Sequence, residues 1–268
     1  METLPRLRYG QALLASLPDD TEDAPWMVTP EFQFQIIRML LSILEQHIRQ
    51  QDLPWHVFSE LWIIAPWPND RGSLRAAPDL FVVEADREER ESWQISREGK
   101  TPPFVLEVVT PASRDRDERD KAVIYDQMGV REYVIFTPRG AKGGPRLQGY
   151  QRDAEGQFVR WDAGAVGEFV SQALGGLRLY IHGGARLRLK DREGHVLPTE
   201  AEEGERQRQR ADGEEARADQ EAARAHREAT RAELEAARAR QEAARAEAAE
   251  RELSRLRALL TTDPLPPP

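Results

Sequence analysis

All six Trp, all five Tyr and all eight Phe of this 268-residue chain lie before residue 191. Aromatic side chains carry much of the buried area of a core, so the chain divides into a part that can fold around one and a part that cannot. Beyond residue 191 the sequence is almost entirely Ala, Glu, Arg and Gln, and it repeats. Glu214, Glu221, Glu228, Glu235 and Glu242 recur every seven residues. Three residues after each stand Arg217, Arg224, Arg231, Arg238 and Arg245, followed by Ala218, Ala225, Ala232, Ala239 and Ala246. Ala is the best helix former, and a Glu–Arg pair at i,i+3 adds about 0.2–0.5 kcal/mol on a helix surface. The spacing therefore predicts a long helix.

A strict heptad favours a left-handed supercoil, but the seam here would be Ala222, Ala225, Ala229 and Ala232. Only Leu234, Leu253, Leu256, Leu259 and Leu260 are large. Two readings stay open: a coiled coil that makes a homo-oligomer, or a solvated single helix acting as a spacer. The expected organisation is an N-terminal extension (1–28), a globular domain (29–190), the long helix (191–262) and a Pro-rich terminus (263–268).

The formal charge of −9 argues at first against nucleic acid, because phosphate is neutralised by Lys and Arg. The charge divides, however. Residues 1–190 hold 24 basic and 28 acidic side chains, and residues 191–268 hold 14 and 19, so the globular part is nearly neutral. The chain has no Cys, which excludes disulfides, thiolate nucleophiles and zinc-ribbon sites. It has no run of eighteen apolar residues and no signal-like start, so no membrane association and a cytoplasmic location are expected.

In the globular part, Phe32, Ile36, Ile37, Leu40, Leu41 and Leu44 follow helical spacing after Pro30 and Glu31, predicting a helix to about Gln50. Strands are expected at His56–Ala65, Asp79–Glu84 and Pro103–Val109, with a polar loop or elaborated hairpin at Ala85–Thr101. A helix over Arg114–Met128, stopped by Gly129, leads to a strand at Arg131–Thr137. Shorter strands are expected at Arg146–Gln151, Phe158–Trp161, Leu177–Ile181 and Ala185–Leu189. This order makes an α/β (α+β) core with one crossover helix.

Glu107 interrupts Phe104-Val105-Leu106-Glu107-Val108-Val109, which otherwise reads as a strand buried on both faces. A carboxylate there is costly unless paired, hydrogen-bonded or metal-bound. Asp79 follows Pro78 at the start of another buried-type strand, where a plain turn Asp is the alternative. Carboxylates on neighbouring strands, about 4.8 Å apart, suit Mg²⁺. Lys121 stands at i−3, i−4 and i−7 from Ile124, Tyr125 and Met128, on the face that packs against the sheet, with Asp117 on the same face. It is one of four Lys against 34 Arg, as expected where a compact charge is required. A lysine snorkelling at a helix start is the plainer reading.

The series Ala77-Pro78-Asp79-Leu80, Leu106-Glu107-Val108-Val109-Thr110-Pro111, Asp117 with Lys121, and Tyr125 leading to Gly129-Val130-Arg131-Glu132-Tyr133 resembles the putative restriction endonuclease family of the PD-(D/E)XK nuclease superfamily. The likeness runs over about Thr29–Pro138. In the superfamily's simplest motif the lysine stands two residues after the acid, where this chain has Val109; Lys121 fits a version relocated to the following helix. Thr110 replaces a Ser usual in the family, and the family's frequent His at the first helix is not evident near Phe32–Gln35. An acid from the first helix is common, with Glu45 the candidate. The charged, Ala-rich tail also occurs among family members.

The resemblance implies a mixed sheet flanked by helices and metal-dependent hydrolysis of DNA phosphodiester bonds. Asp79, Glu107 and the backbone carbonyl of Val108 would hold Mg²⁺ or Mn²⁺, and Lys121 would orient water or stabilise developing charge. Arg114 and Arg116 would contact the DNA backbone or simply be solvated. His47, His56, His182, His195 and His226 show no metal-ligand spacing. Gly140, Gly143 and Gly144 around Lys142 read as a hairpin turn rather than a phosphate loop. Two other classes remain: a nuclease fold without catalysis that serves as a binding module, and a coiled-coil oligomerisation protein.

Overall fold

The computed structural model describes residues 31–67, 72–109, 116–138, 144–184 and 186–261. The expected extension 1–28, the Pro-rich terminus, Thr110, Pro111, Arg114, Gly140, Lys142 and Gly143 lie outside the described residues, as do the side chains of Arg116, Asp117, Leu259 and Leu260. The chain forms two compact units, Met1–Glu203 and Gly204–Pro268.

The first unit is a mixed α+β fold. Helix α1 (Glu31–Gln50) is followed by β1 (Trp55–Phe58), β2 (Trp62–Pro66), β3 (Ser73–Ala76), β4 (Leu80–Glu84) and β5 (Ser92–Gln94). A short helix α2 (Ile95–Glu98) leads to β6 (Phe104–Val108). A π-helical turn (Arg116–Asp120) then opens into α3 (Lys121–Met128). Strands β7 (Glu132–Thr137), β8 (Arg146–Arg152), β9 (Phe158–Gly164), β10 (Glu168–Ser171), β11 (Leu177–His182) and β12 (Arg186–Lys190) complete it.

The central sheet has the order β1-β4-β6-β7-β8-β9. Only β6 and β7 run parallel, with Leu106 opposite Val134, and α3 supplies their crossover. The sheet is covered on both sides. One face (Leu80, Val82, Phe104, Leu106, Val108, Val134, Phe136) packs on α1 and on the three-stranded sheet β10-β11-β12. The other (Phe81, Val83, Val105, Val109, Tyr133, Ile135) packs on α3 and on the small sheet β3-β2-β5. Double coverage explains why β4, β6 and β7 read as continuous apolar runs rather than alternating ones. Gly129 ends α3 at φ 85°, its N–H donating to the carbonyls of Asp126 and Tyr125, the left-handed cap expected from its position.

The single strand expected at His56–Ala65 is two strands in different sheets. The chain reverses at Glu60, whose φ is 53°, with its N–H donating to the Pro78 carbonyl at 3.1 Å. The polar stretch Ala85–Thr101 contains β5 and α2, and β3 and β10 were not signalled. These strands are only three or four residues long, too short for a period-2 pattern to show. Strands β7 and β8 pair antiparallel, with Thr137 opposite Arg146.

The long helix α4 (Glu200–Thr261) has 62 residues and begins nine residues later than expected. Residues Asp191–Gly194 turn back so that Lys190 bridges to Val196. Thr199 then caps the helix reciprocally: Thr199 N–H donates to Glu202 Oε2 at 2.8 Å and Glu202 N–H to Thr199 Oγ1 at 3.2 Å. In the second unit every helical side chain described is exposed. The ion pair of the repeat seen there is Arg231–Glu235 at i,i+4, 3.0 Å, rather than the i,i+3 pairing of the repeat unit.

Candidate active site

Pro78 sets the geometry of the site. Strands β4 and β6 pair antiparallel from Val82↔Phe104 to Leu80↔Leu106, so Asp79 falls opposite Glu107 and the next hydrogen-bonded pair would be Pro78 with Val108. Proline has no N–H to give to that ladder, and its carbonyl is already taken by Glu60. The ladder therefore ends, and the Val108 N–H is accepted instead by Oδ2 of Asp79 at 2.6 Å. The other oxygen, Oδ1, accepts from Gln33 Nε2 of α1 at 2.8 Å. Ser59 Oγ donates to the Asp79 backbone carbonyl at 2.8 Å. Asp79 is thus held from α1, from the β1–β2 turn and from β6, with its carboxylate against the peptide that follows Glu107.

Glu107 lies on the sheet face that meets α3, at the end of β6 nearest Asp79. Its side chain is 3% exposed, and a bare carboxylate in that setting would be strongly destabilising. Two donors from α3 compensate it. Lys121 Nζ lies 2.9 Å and Tyr125 Oη 2.8 Å from the same oxygen, Oε1. The two donors stand at i and i+4, one helical turn apart. Both are buried, Lys121 at 6% and Tyr125 at 0% exposure.

The structure thus brings Asp79, Glu107 and Lys121 to one end of the central sheet. Two carboxylates and a nearby carbonyl form an all-oxygen donor set of the kind Mg²⁺ and Mn²⁺ take. In an extended strand the N–H and C=O of one residue point to the same edge. The Val108 carbonyl therefore points to the Asp79 side, where Pro78 cannot donate to it. The donor set fits a divalent cation.

Glu45 does not belong to this arrangement. It is exposed on α1, about 18 Å further along the helix than Gln33 at 1.5 Å per residue, and its charge acts on His56. The first helix instead contributes Gln33, three and four residues before the buried Ile36 and Ile37. A polar residue on an apolar stripe was the signal, the same one that marked Lys121. Tyr125, read from sequence as core only, adds a hydroxyl to the site. Glu132 of the Gly129–Tyr133 segment sits at the opposite end of the sheet, paired with Phe104. Its buried carboxylate accepts the N–H groups of Gln172 and Ala173 at 2.7 and 3.1 Å and the Ser171 hydroxyl, clamping the turn between β10 and β11. Burial outweighs these bonds and raises its pKa above the ordinary value.

Among the described residues, Asp191, Glu193 and His195 form a group with ligand atoms within 4.8 Å of one another. It lies on the turn after β12, where Asp191 accepts the His195 N–H at 2.8 Å and meets Nδ1 at 3.0 Å. Those bonds account for it as a turn. No helix among the described residues is long and apolar enough to cross a membrane.

No curated protein matches the chain. Among solved structures, it is similar to a protein from Anabaena variabilis ATCC 29413 described as a putative nuclease belonging to DUF820. The identity is 15% and the TM-score 0.40, over 55% of this chain and 76% of that one. A family model described as "Uma2: Putative restriction endonuclease" matches residues 25–181, more than half of the sequence and all of the site just described. The chain belongs to the Uma2 family of putative restriction endonucleases.

Proposed function

We propose that the protein is a metal-dependent endonuclease that hydrolyses DNA phosphodiester bonds at Asp79, Glu107 and Lys121. The observation that carries this reading is the convergence on one strand end of a carboxylate anchored to the Val108 N–H and a second carboxylate paired with a buried lysine. Buried charge of this kind contributes little net stability compared with apolar packing, so its presence calls for a chemical reason.

Asp79, Glu107 and the Val108 carbonyl would hold Mg²⁺ or Mn²⁺. The cation supplies Lewis-acid activation of the phosphate and of a water nucleophile. Gln33 and the Val108 N–H fix the Asp79 carboxylate, limiting the rearrangement needed to bind. Tyr125 holds the Glu107 carboxylate by one oxygen. Lys121, which meets Glu107 at 2.9 Å, would orient the attacking water or stabilise negative charge developing on the phosphate.

Cleavage of plasmid DNA with Mg²⁺ or Mn²⁺ tests the assignment: the wild type nicks or linearises the plasmid, and Asp79→Ala and Lys121→Ala do not. Undiminished cleavage by both variants overturns it. A second reading, a nuclease fold used for binding alone, is favoured by the Lys121–Glu107 pair, which already satisfies one oxygen of the carboxylate. Calorimetry separates the two, since the binding module takes up no divalent cation at this site.

The α4 tail is proposed as an accessory element, either a spacer or a self-pairing helix. Loss of an oligomer with retained cleavage on removing residues 204–268 establishes the self-pairing role.

A further inference from the structure

Gln33, which grips Asp79, stands between two aromatic residues that the fold leaves in water. Phe32 is 40% and Phe34 53% exposed, and among the described residues they are the only exposed Phe, Trp or Tyr side chains. Every other large exposed apolar residue described is a Val or a Leu, and three of these lie on the tail. Successive residues of a helix project about 100° apart. With Gln33 directed at Asp79, Phe32 and Phe34 therefore leave the helix about 100° to either side of it, each adjacent in sequence to a residue that grips the site. Exposed phenylalanines are costly to keep in water, and the apolar stripe of α1 does not need them, since Ile36, Ile37, Leu40, Ile43 and Leu44 already fill it.

We propose that Phe32 and Phe34 are base-stacking residues and that the preferred substrate presents unstacked bases, as single-stranded or locally unpaired DNA. This rests on the nuclease reading of the Asp79–Glu107 site. Every phosphodiester lies between two nucleosides, so a strand held by its phosphate beside Asp79 carries one base to each side, just as α1 carries one exposed ring to each side of Gln33. Stacking on an aromatic face is available to every base but only where the base has left its own stack. A continuous duplex hides those faces. The chemistry favours single strands over duplex and gives weak sequence preference.

The test uses the full chain in EDTA, where no cleavage occurs, with a short fluorescein-labelled single strand and its duplex. Phe32→Ala/Phe34→Ala weakens single-strand binding by about tenfold or more, leaves duplex binding nearly unchanged, and Phe32→Trp/Phe34→Trp restores it. A single strand carrying iododeoxyuridine cross-links under ultraviolet light to Phe32 or Phe34 of the wild type. This arm decides the matter even if the double-alanine variant folds poorly. Unchanged affinity in a folded double-alanine variant, or cross-links that map only elsewhere, overturns the proposal. If that happens while Asp79→Ala abolishes cleavage, the nuclease reading stands alone. Cross-linking at Phe32 or Phe34 in a protein that cleaves nothing supports the stacking role and overturns the nuclease reading.

Discussion

Lys121 and Glu107, fourteen residues apart, meet at 2.9 Å with side chains only 8% and 3% exposed. Removing one partner of such a pair leaves the other charge buried without its counter-charge. Lys121→Met is expected to destabilise the protein by about 3–5 kcal/mol. The double variant Glu107→Gln/Lys121→Met should recover much of that loss, because neither charge is then left alone. Urea unfolding of the singles and the double gives the coupling, and additive effects would show that the pair is not energetically linked.

Tyr125→Phe isolates the second donor to Glu107. The ring keeps its packing against Tyr133, 4.8 Å between centroids, so only the hydroxyl is lost. A hydrogen bond to a charged group contributes about 1.5–3 kcal/mol. A loss in that range by urea denaturation is expected, and an unchanged midpoint would mean that the tyrosine hydroxyl is not needed to satisfy the carboxylate.

Asp79 serves the backbone as well as the proposed chemistry, and two substitutions separate the roles. Asp79→Asn keeps an oxygen for the Val108 N–H but removes the charge a cation needs. It should retain near-native stability while losing divalent-cation binding by calorimetry. Asp79→Ala leaves the Val108 N–H without its acceptor and should cost about 1–3 kcal/mol more than Asp79→Asn. Equal stabilities would show that water replaces the carboxylate.

Glu132 makes stability depend on pH. Its native pKa is raised, chiefly by burial and against the bonds from Ser171, Ala173 and Gln172. The folded state therefore holds the proton more tightly than the unfolded one. This contribution is complete below the ordinary glutamate value of 4.5 and is lost as pH rises through the raised native value. Glu132→Gln should flatten the decline of the melting temperature over that window; a decline of undiminished slope would assign it to another group.

Glu202 has the opposite sign. The Arg188 guanidinium, aided by the Thr199 N–H, lowers its pKa from 4.5 to about 2. Its contribution is present above pH 4.5 and is lost as pH falls toward 2. Hydrogen exchange at the start of α4 should accelerate across that interval, and in Thr199→Ala at neutral pH as well, since losing a threonine cap costs about 1 kcal/mol of helix stability. Exchange that stays constant in both experiments would place the helix start under other control.

Local regularities carried the features that were legible in the sequence. The heptad of Glu, Arg and Ala made the tail a helix because helix propensity and i,i+4 neighbours are short-range properties. Gly129 marked its cap because only glycine enters the left-handed region freely. Asp79, Glu107 and Lys121 stood out because each places a charge where the surrounding pattern demands burial, and the fold brings all three to one strand end.

Long-range pairing decided the rest. Nothing local in Glu60 or Leu61 says that β1 and β2 part into different sheets, or that β10-β11-β12 covers the α1 face. The lost ladder bond at Pro78 exists only once β4 lies beside β6, and it is that loss which turns the Asp79 carboxylate onto Val108. Gln33 and Tyr125 become site residues only because α1 and α3 pack on opposite faces of the same sheet end. Residue types and their periods determined the elements and the charged groups; the tertiary fold alone decided which donor meets which carboxylate, because a hydrogen bond between residues 46 positions apart, as between Gln33 and Asp79, is set by strand order rather than by spacing.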